Sequence, residues 1–152
     1  MRVIGVDRDK PELETLLDRR FPREELVEAV AEADHFFVTT SGGPETTHLV
    51  DAAVLKGMKP SAFLYNVSRG SVIEEDALVD ALRSGAIAGA GLDVTEIEPL
   101  PESSPLWEMG NVILSAHSGG HSEPGYERLL TLIIDNLDNF HAGRPLENRI
   151  DL

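Results

Sequence analysis

The sequence predicts an α/β protein built on a doubly wound parallel sheet, and three observations lead there. Short apolar runs alternate with segments of helical spacing, the order that gives parallel strands joined by right-handed crossovers. The runs are continuously apolar, as expected of strands buried on both faces. The length, 152 residues, suits a single domain with one core.

Taken in order, "RVIGVD" (residues 2 to 7) is a β-branched apolar run closed by a carboxylate, the pattern of a buried strand, and the segment after it reads as helical. Leu26, Val30 and Ala33 then recur at helix spacing, with Pro22 ahead and Asp34 behind. "HFFVTT" from His35 is a strand. "SGGPET" has turn chemistry, Pro44 stands near a helix start, and "THLVDAAVLKGM" continues as helix to about Gly57. "SAFLYNV" is the next strand.

Ser71 and Glu74 have the spacing of a capping box, ahead of a helix that carries Leu78 and Leu82 and stops at Gly85. "AIAGAGLDV" is again a strand; its glycines lie inside the apolar run with no helix start behind them, so a phosphate loop is rejected. A proline-rich connection, "EPLPESSPLWEMG", leads to the strand "NVILSAH". The final helix starts near Glu123, places Tyr126, Leu130, Ile133, Leu137 and Phe140 on one face, and ends at Gly143 and Pro145.

Composition removes several function classes. The net charge of -14 disfavours nucleic acid and anionic membranes as partners, because that attraction needs a basic surface. There is no apolar stretch of membrane-spanning length and no secretory signal pattern, so a soluble protein is expected. The absence of cysteine excludes disulfides, thiolate metal sites and a cysteine nucleophile, and fits the cytoplasm. Lys10, Lys56 and Lys59 are the only lysines, and 27 acidic residues face 13 basic ones, a bias that suggests a halophilic source. His35, His48, His121 and His141 have no companions at metal-ligand spacing, and no metal is expected.

In a parallel α/β sheet, ligands bind beyond the carboxyl ends of the strands, so the informative residues follow each apolar run. They are Asp7, Thr39 to Ser41, Ser68 with Arg69, Asp93 with Glu98, and His117. A guanidinium, a carboxylate and an imidazole on one rim make a reaction-shaped set: the fork of Arg69 can clamp a carboxylate, His117 can move a proton, and Glu98 can orient it. Gly70 then lets the backbone turn close to a ligand. By spacing alone, Arg69 reads more readily as a solvated loop arginine, since charged residues at strand ends are ordinary.

The motifs narrow this. "N-x-x-R-G" at Asn66 to Gly70, "G-L-D-V-x-x-x-E-P-L-P" at Gly91 to Pro101 and "H-x-G-G" at His117 to Gly120 occur in the order and approximate spacing of the D-isomer-specific 2-hydroxyacid dehydrogenases. "PETTHLV" and "AGRPLENRID" resemble that family too. The resemblance covers Arg2 to Asp151 and is to the C-terminal part of a Rossmann-like NAD-binding domain, here residues 1 to 152 including the C-terminal helix.

Carried over position by position, the resemblance makes Arg69 the binder of the 2-oxo acid carboxylate, His117 the proton donor to the carbonyl oxygen and Glu98 its hydrogen-bonded partner. Asp93 matches an aspartate near the nicotinamide, while Val67, Ser68, Gly119 and Gly120 match backbone positions along the cofactor. Asp7 matches the acid that accepts from the adenosine ribose hydroxyls and repels a 2'-phosphate, which favours NAD over NADP, although Arg8 stands beside it. A small 2-oxo or 2-hydroxy acid is the implied substrate and a homodimer the implied assembly.

The family's Gly-rich fingerprint and most of its substrate domain would precede "MRVIGVD", so the chain resembles a truncated domain of about five strands, expected to be weakly active or inactive alone. Residues 2 to 7 are expected to pair directly with the strand at 36 to 40. The "SGG" at 41 to 43 departs from the family, which places a proline and larger residues there. Two other readings stay open: a non-catalytic relative acting as a dimerisation or binding module, and a flavodoxin-like receiver domain, for which Asp7 with Asp9 would be a poor acidic cluster.

Overall fold

A computed structural model describes residues 1–6 and 16–149. The chain divides into two compact units, Met1–His117 and Ser118–Leu152. In the first unit, strands β1 (Ile4–Val6) and β2 (Arg19–Phe21) form a two-stranded parallel sheet, and β3 (His35–Val38), β4 (Phe63–Asn66), β5 (Gly89–Leu92) and β6 (Val112–Leu114) form a four-stranded parallel sheet in that order. Helices α1 (Leu26–Glu32), α2 (Ala52–Gly57) and α3 (Glu75–Ser84) connect them, and the second unit is built on α4 (Glu123–His141).

The core lies between the larger sheet and the three helices. Leu64 of β4 is fully buried, in one cluster with Val30, Leu55, Val72, Leu78, Ile87 and Leu106. Strand residues alternate: Leu64 and Asn66 are buried, whereas Phe63 is exposed.

Burial on both faces is therefore not what the structure has. The other face carries exposed Phe37, Phe63 and Ile113, with rings stacked across β3 and β4, Phe37 on Tyr65 at 4.5 Å and His35 on Phe63 at 6.0 Å.

The expected pairing of β1 with β3 is also corrected, because β1 pairs with β2, in register from Ile4 opposite Arg19 to Val6 opposite Phe21. Local forces favour that partner. Asp18 binds Val3 twice, its amide donating to the Val3 carbonyl at 2.9 Å and its carboxylate accepting from the Val3 amide at 2.6 Å. Arg2 and Arg19 both bind the Glu32 carboxylate, which ties the pair to α1.

Two helix starts differ from expectation. Thr46 and Thr47 donate their hydroxyls to the Gly43 carbonyl, Val50 forms a parallel bridge with Ile73, and α2 begins only after Asp51, whose carboxylate caps Ala53 and Val54. The capping box of Ser71 and Glu74 does not form. Residues Gly70–Val72 make a 3-10 turn instead, and the first amide of α3, that of Glu75, donates to Glu96 of a distant loop. Gly85 ends α3 in the left-handed conformation, as expected.

Candidate active site

The end of β4 is organised by Asn66, 1% exposed, whose amide oxygen accepts from the Ser68 amide and hydroxyl at 3.1 and 2.8 Å. Its amide nitrogen donates to the Arg69 carbonyl at 3.0 Å. These bonds curl the chain beyond the strand and leave Val67 and Arg69 exposed while Ser68 is buried. The Arg69 stem lies across Gly42, where a Cβ would come 2.8 Å from the Arg69 Cγ, so the small residue in "SGG" leaves room for it. One guanidinium nitrogen of Arg69 donates to the Ser68 carbonyl at 2.7 Å.

Beyond β5, Asp93 is buried and accepts from the Ser115 hydroxyl at 2.6 Å, and its carbonyl takes the His117 amide at 2.8 Å. That bond accompanies a left-handed backbone at His117, φ 50°, a conformation that non-glycine residues adopt at a cost and that gathers at functional sites. Nδ1 of His117 then meets Oε2 of Glu98 at 2.9 Å, while Oε1 of Glu98 accepts from the Thr95 amide at 3.1 Å.

The His117 hydrogen bond is the main reason the Glu98 carboxyl sits below its usual range, and the Arg69 charge acts in the same direction. A carboxylate only accepts, so Nδ1 carries the proton in this bond, and Nε2 is the nitrogen left to face a reactant.

Arg69, Glu98, His117 and Asp93 thus lie on one rim of the first unit, with Val67 and Ser68 in the β4 loop. Gly119 and Gly120 fall in the second unit, in the turn ahead of α4. Asp7 lies outside the described residues. A pocket of about 610 Å³ is lined by Val6 at the end of β1, by Val38 to Ser41 at the end of β3, and by Leu26, Thr46 and Val50.

Sequence reasoning missed three participants. Asn66 and Ser115 hold the loop and the aspartate, and a polar residue closing an apolar run was the available signal. The third is a second histidine–glutamate pair, His48 Nε2 to Glu96 Oε1 at 2.7 Å, which joins residues 48 positions apart and has no local signature. Among the described residues no group of three possible ligands could hold a metal ion, and no helix is long and apolar enough to cross a membrane.

Parallel sheets joined by helices, with polar groups beyond the carboxyl ends of the strands, make this an α/β fold of the Rossmann-like class. The chain belongs to the D-isomer specific 2-hydroxyacid dehydrogenase family, since residues 1–119 match the model of that family's NAD binding domain. It is 41% identical over 122 residues to glyoxylate/hydroxypyruvate reductase B of Pectobacterium carotovorum subsp. carotovorum, covering 80% of this chain and 38% of the relative. With the glyoxylate reductase of Korarchaeum cryptofilum it shares 38% identity over 130 residues, 86% of this chain and 38% of the relative.

Among solved structures, the family member from Xanthobacter autotrophicus Py2 in complex with NADPH and MES superposes with a TM-score of 0.83 at 37% identity, over 98% of this chain and 60% of that one. The NAD-complexed enzyme of Lactobacillus delbrueckii ssp. bulgaricus gives 0.84 at 27% identity, over 99% and 48%. The chain therefore spans less than half the length of the two reductases it is compared with.

Proposed function

We propose that the chain is the nicotinamide-cofactor domain of an oxidoreductase that interconverts a 2-oxo acid and a D-2-hydroxy acid. The observation that carries this reading is the His117–Glu98 pair, 2.9 Å apart beside an exposed arginine on the ligand-binding rim. In reduction, Arg69 holds the substrate carboxylate with its guanidinium fork. His117, kept in one tautomer by Glu98, gives its Nε2 proton to the carbonyl oxygen. Once that proton has left, Nε2 is a base able to take it back, which serves the reverse direction. A bound reduced nicotinamide supplies the hydride that the carbonyl carbon receives.

The fit of a ligand is supported by the pocket lined by Val6 and by Val38 to Ser41, residues at the carboxyl ends of β1 and β3, whose volume of about 610 Å³ is in the range of ligand sites. On the sequence resemblance, Asp93 is assigned to the nicotinamide, and Val67, Ser68, Gly119 and Gly120 to backbone positions along the cofactor. NAD is assigned in preference to NADP on Asp7. Relatives bind NADPH as well as NAD, so both are tested.

The experiment is calorimetric titration of this chain with NADH and NADPH in molar KCl, with Asp7→Ala beside it. The reading expects saturable NADH binding that Asp7→Ala weakens and a lower affinity for NADPH; no binding of either at millimolar concentration would overturn it. A second reading, a non-catalytic dimerisation module, is favoured by one feature: within its own unit α4 displays Tyr126, Leu130, Ile133, Leu137 and Phe140, all exposed. Dimers by sedimentation together with no cofactor binding would select it.

A further inference from the structure

We propose that His48, Glu96 and Glu75 form a lock that positions Glu98, making His48 a positioning residue for the His117–Glu98 pair. Its relevance to catalysis rests on the function proposed above, whereas the lock itself is a matter of geometry.

Glu98 reaches His117 from the turn Thr95 to Glu98, and the same turn is held from its other side. Glu96 has three bonds in that clamp: Oε1 to His48 Nε2 at 2.7 Å, Oε2 accepting from the Glu75 amide at 3.3 Å, and its own amide donating to the Glu75 carboxylate at 2.9 Å. The exchange with Glu75 fixes the turn to the start of α3, which has no cap from its own Glu74 side chain.

His48 is itself fixed by its backbone. Its amide donates to the Ser71 carbonyl at 2.9 Å and its φ is 50°, the same left-handed conformation that His117 has. Two residues on, Val50 bridges Ile73, so the ring is presented from a segment bonded to residues 71 to 74. Beneath the turn, Gly70 touches the Thr95 carbonyl so closely that a Cβ there would stand 1.8 Å from the oxygen. The turn is therefore held down on the residue next to Arg69, and the lock sets how Glu98 stands to both His117 and Arg69.

Magnitude decides between a stabilising and a positioning role. The His48 and Glu96 side chains are 43% and 35% exposed, and exposed ion pairs contribute little to folding. Position is a different matter, because a displacement on the order of 1 Å in a reacting group can cost about a hundredfold in rate. The Glu96 hydrogen bond raises the His48 ring above its ordinary value, and the nearby Glu74 charge adds to this, so the imidazolium form strengthens the clamp.

The test is magnetic resonance of the 152-residue chain, reading the Glu98 carboxyl titration and the His117 ring tautomer, with no cofactor or substrate present. In His48→Ala and Glu96→Ala, Glu98 is expected to titrate closer to the ordinary carboxylate range and His117 to pass from one tautomer to a mixture, with the backbone spectrum of the rest of the unit unchanged. His48→Gln, whose amide can still donate to Glu96, should restore both, and the remote Asp34→Asn should alter neither.

A folded His48→Ala chain with Glu98 and His117 as in the wild type would overturn the lock. Loss of folding in both alanine variants would overturn it too, since the groups would then be structural. These readouts stand even if the chain transfers no hydride. Where turnover is measurable, kcat in His48→Ala should fall about tenfold or more with the cofactor KM unchanged.

Discussion

Gly70→Ala should destabilise the first unit by about 3 kcal/mol or more, at the upper end for overpacking. The added Cβ would stand 1.8 Å from the Thr95 oxygen, 2.0 Å from its carbonyl carbon and 2.5 Å from the Glu96 nitrogen. All three are backbone atoms, so no side chain can swing aside, and either the 3-10 turn at Gly70 or the turn carrying Glu98 must move. Conformational freedom is not the issue, because Gly70 is absent from the positive-φ positions. Gly110→Ala is the matched control: nothing lies within 4 Å of the point its methyl would occupy, and its effect should stay within about 0.5 kcal/mol. Denaturant unfolding of the two variants measures the difference. Equal midpoints would mean that the Gly70 contact does not hold the turn.

Asn66→Leu keeps the branched outline of the side chain at a position 1% exposed, and its two bulkier methyl groups add an overpacking cost of about 1 kcal/mol or more. Hydrogen bonding predicts a larger one. The Ser68 amide, the Ser68 hydroxyl and the Arg69 carbonyl all lose a partner, and each buried orphan costs about 1–3 kcal/mol. The expected loss is about 3–5 kcal/mol, reduced to the extent that the opened loop lets water reach those groups. Unfolding midpoints test the stability. An unfolding free energy within about 1 kcal/mol of the wild type would show that the bonds at the end of β4 do not hold this loop.

Much of this architecture was legible because β3 to β6 are apolar runs bounded by glycine, proline or polar residues, although Phe37, Phe63 and Ile113 of those runs are exposed. Strand β2 was not legible, since Arg19, Arg20 and Phe21 have no apolar pattern and become a strand only through β1 and the Glu32 carboxylate. Residues 46 to 50 looked helical, yet threonine hydroxyls and the bridge to Ile73 hold them as turn.

In the site, the residues after the strands could be picked out because chemistry concentrates there, and motif spacing singled out Arg69, Glu98 and His117. The role of Glu96 could not be read from its neighbours. It depends on His48 and Glu75, far away in sequence, and on a left-handed backbone at His48 that no residue type announces. Asp7, the sequence-level argument for NAD, lies outside the described residues, so cofactor preference rests with the calorimetry.

Hydride transfer to a 2-oxo acid at this rim, as proposed, is tested by isotope transfer with the sensitivity that a weak activity requires. The chain is incubated with NADH deuterated at the transferable position and with glyoxylate or hydroxypyruvate, and the hydroxy acid is analysed by mass spectrometry. Deuterium is expected on the carbinol carbon of the product, reduced about 10²- to 10⁴-fold in His117→Gln, the range that a lost general acid commonly costs. Bound NADH with no deuterated product, or the same yield from His117→Gln, would contradict the proposal.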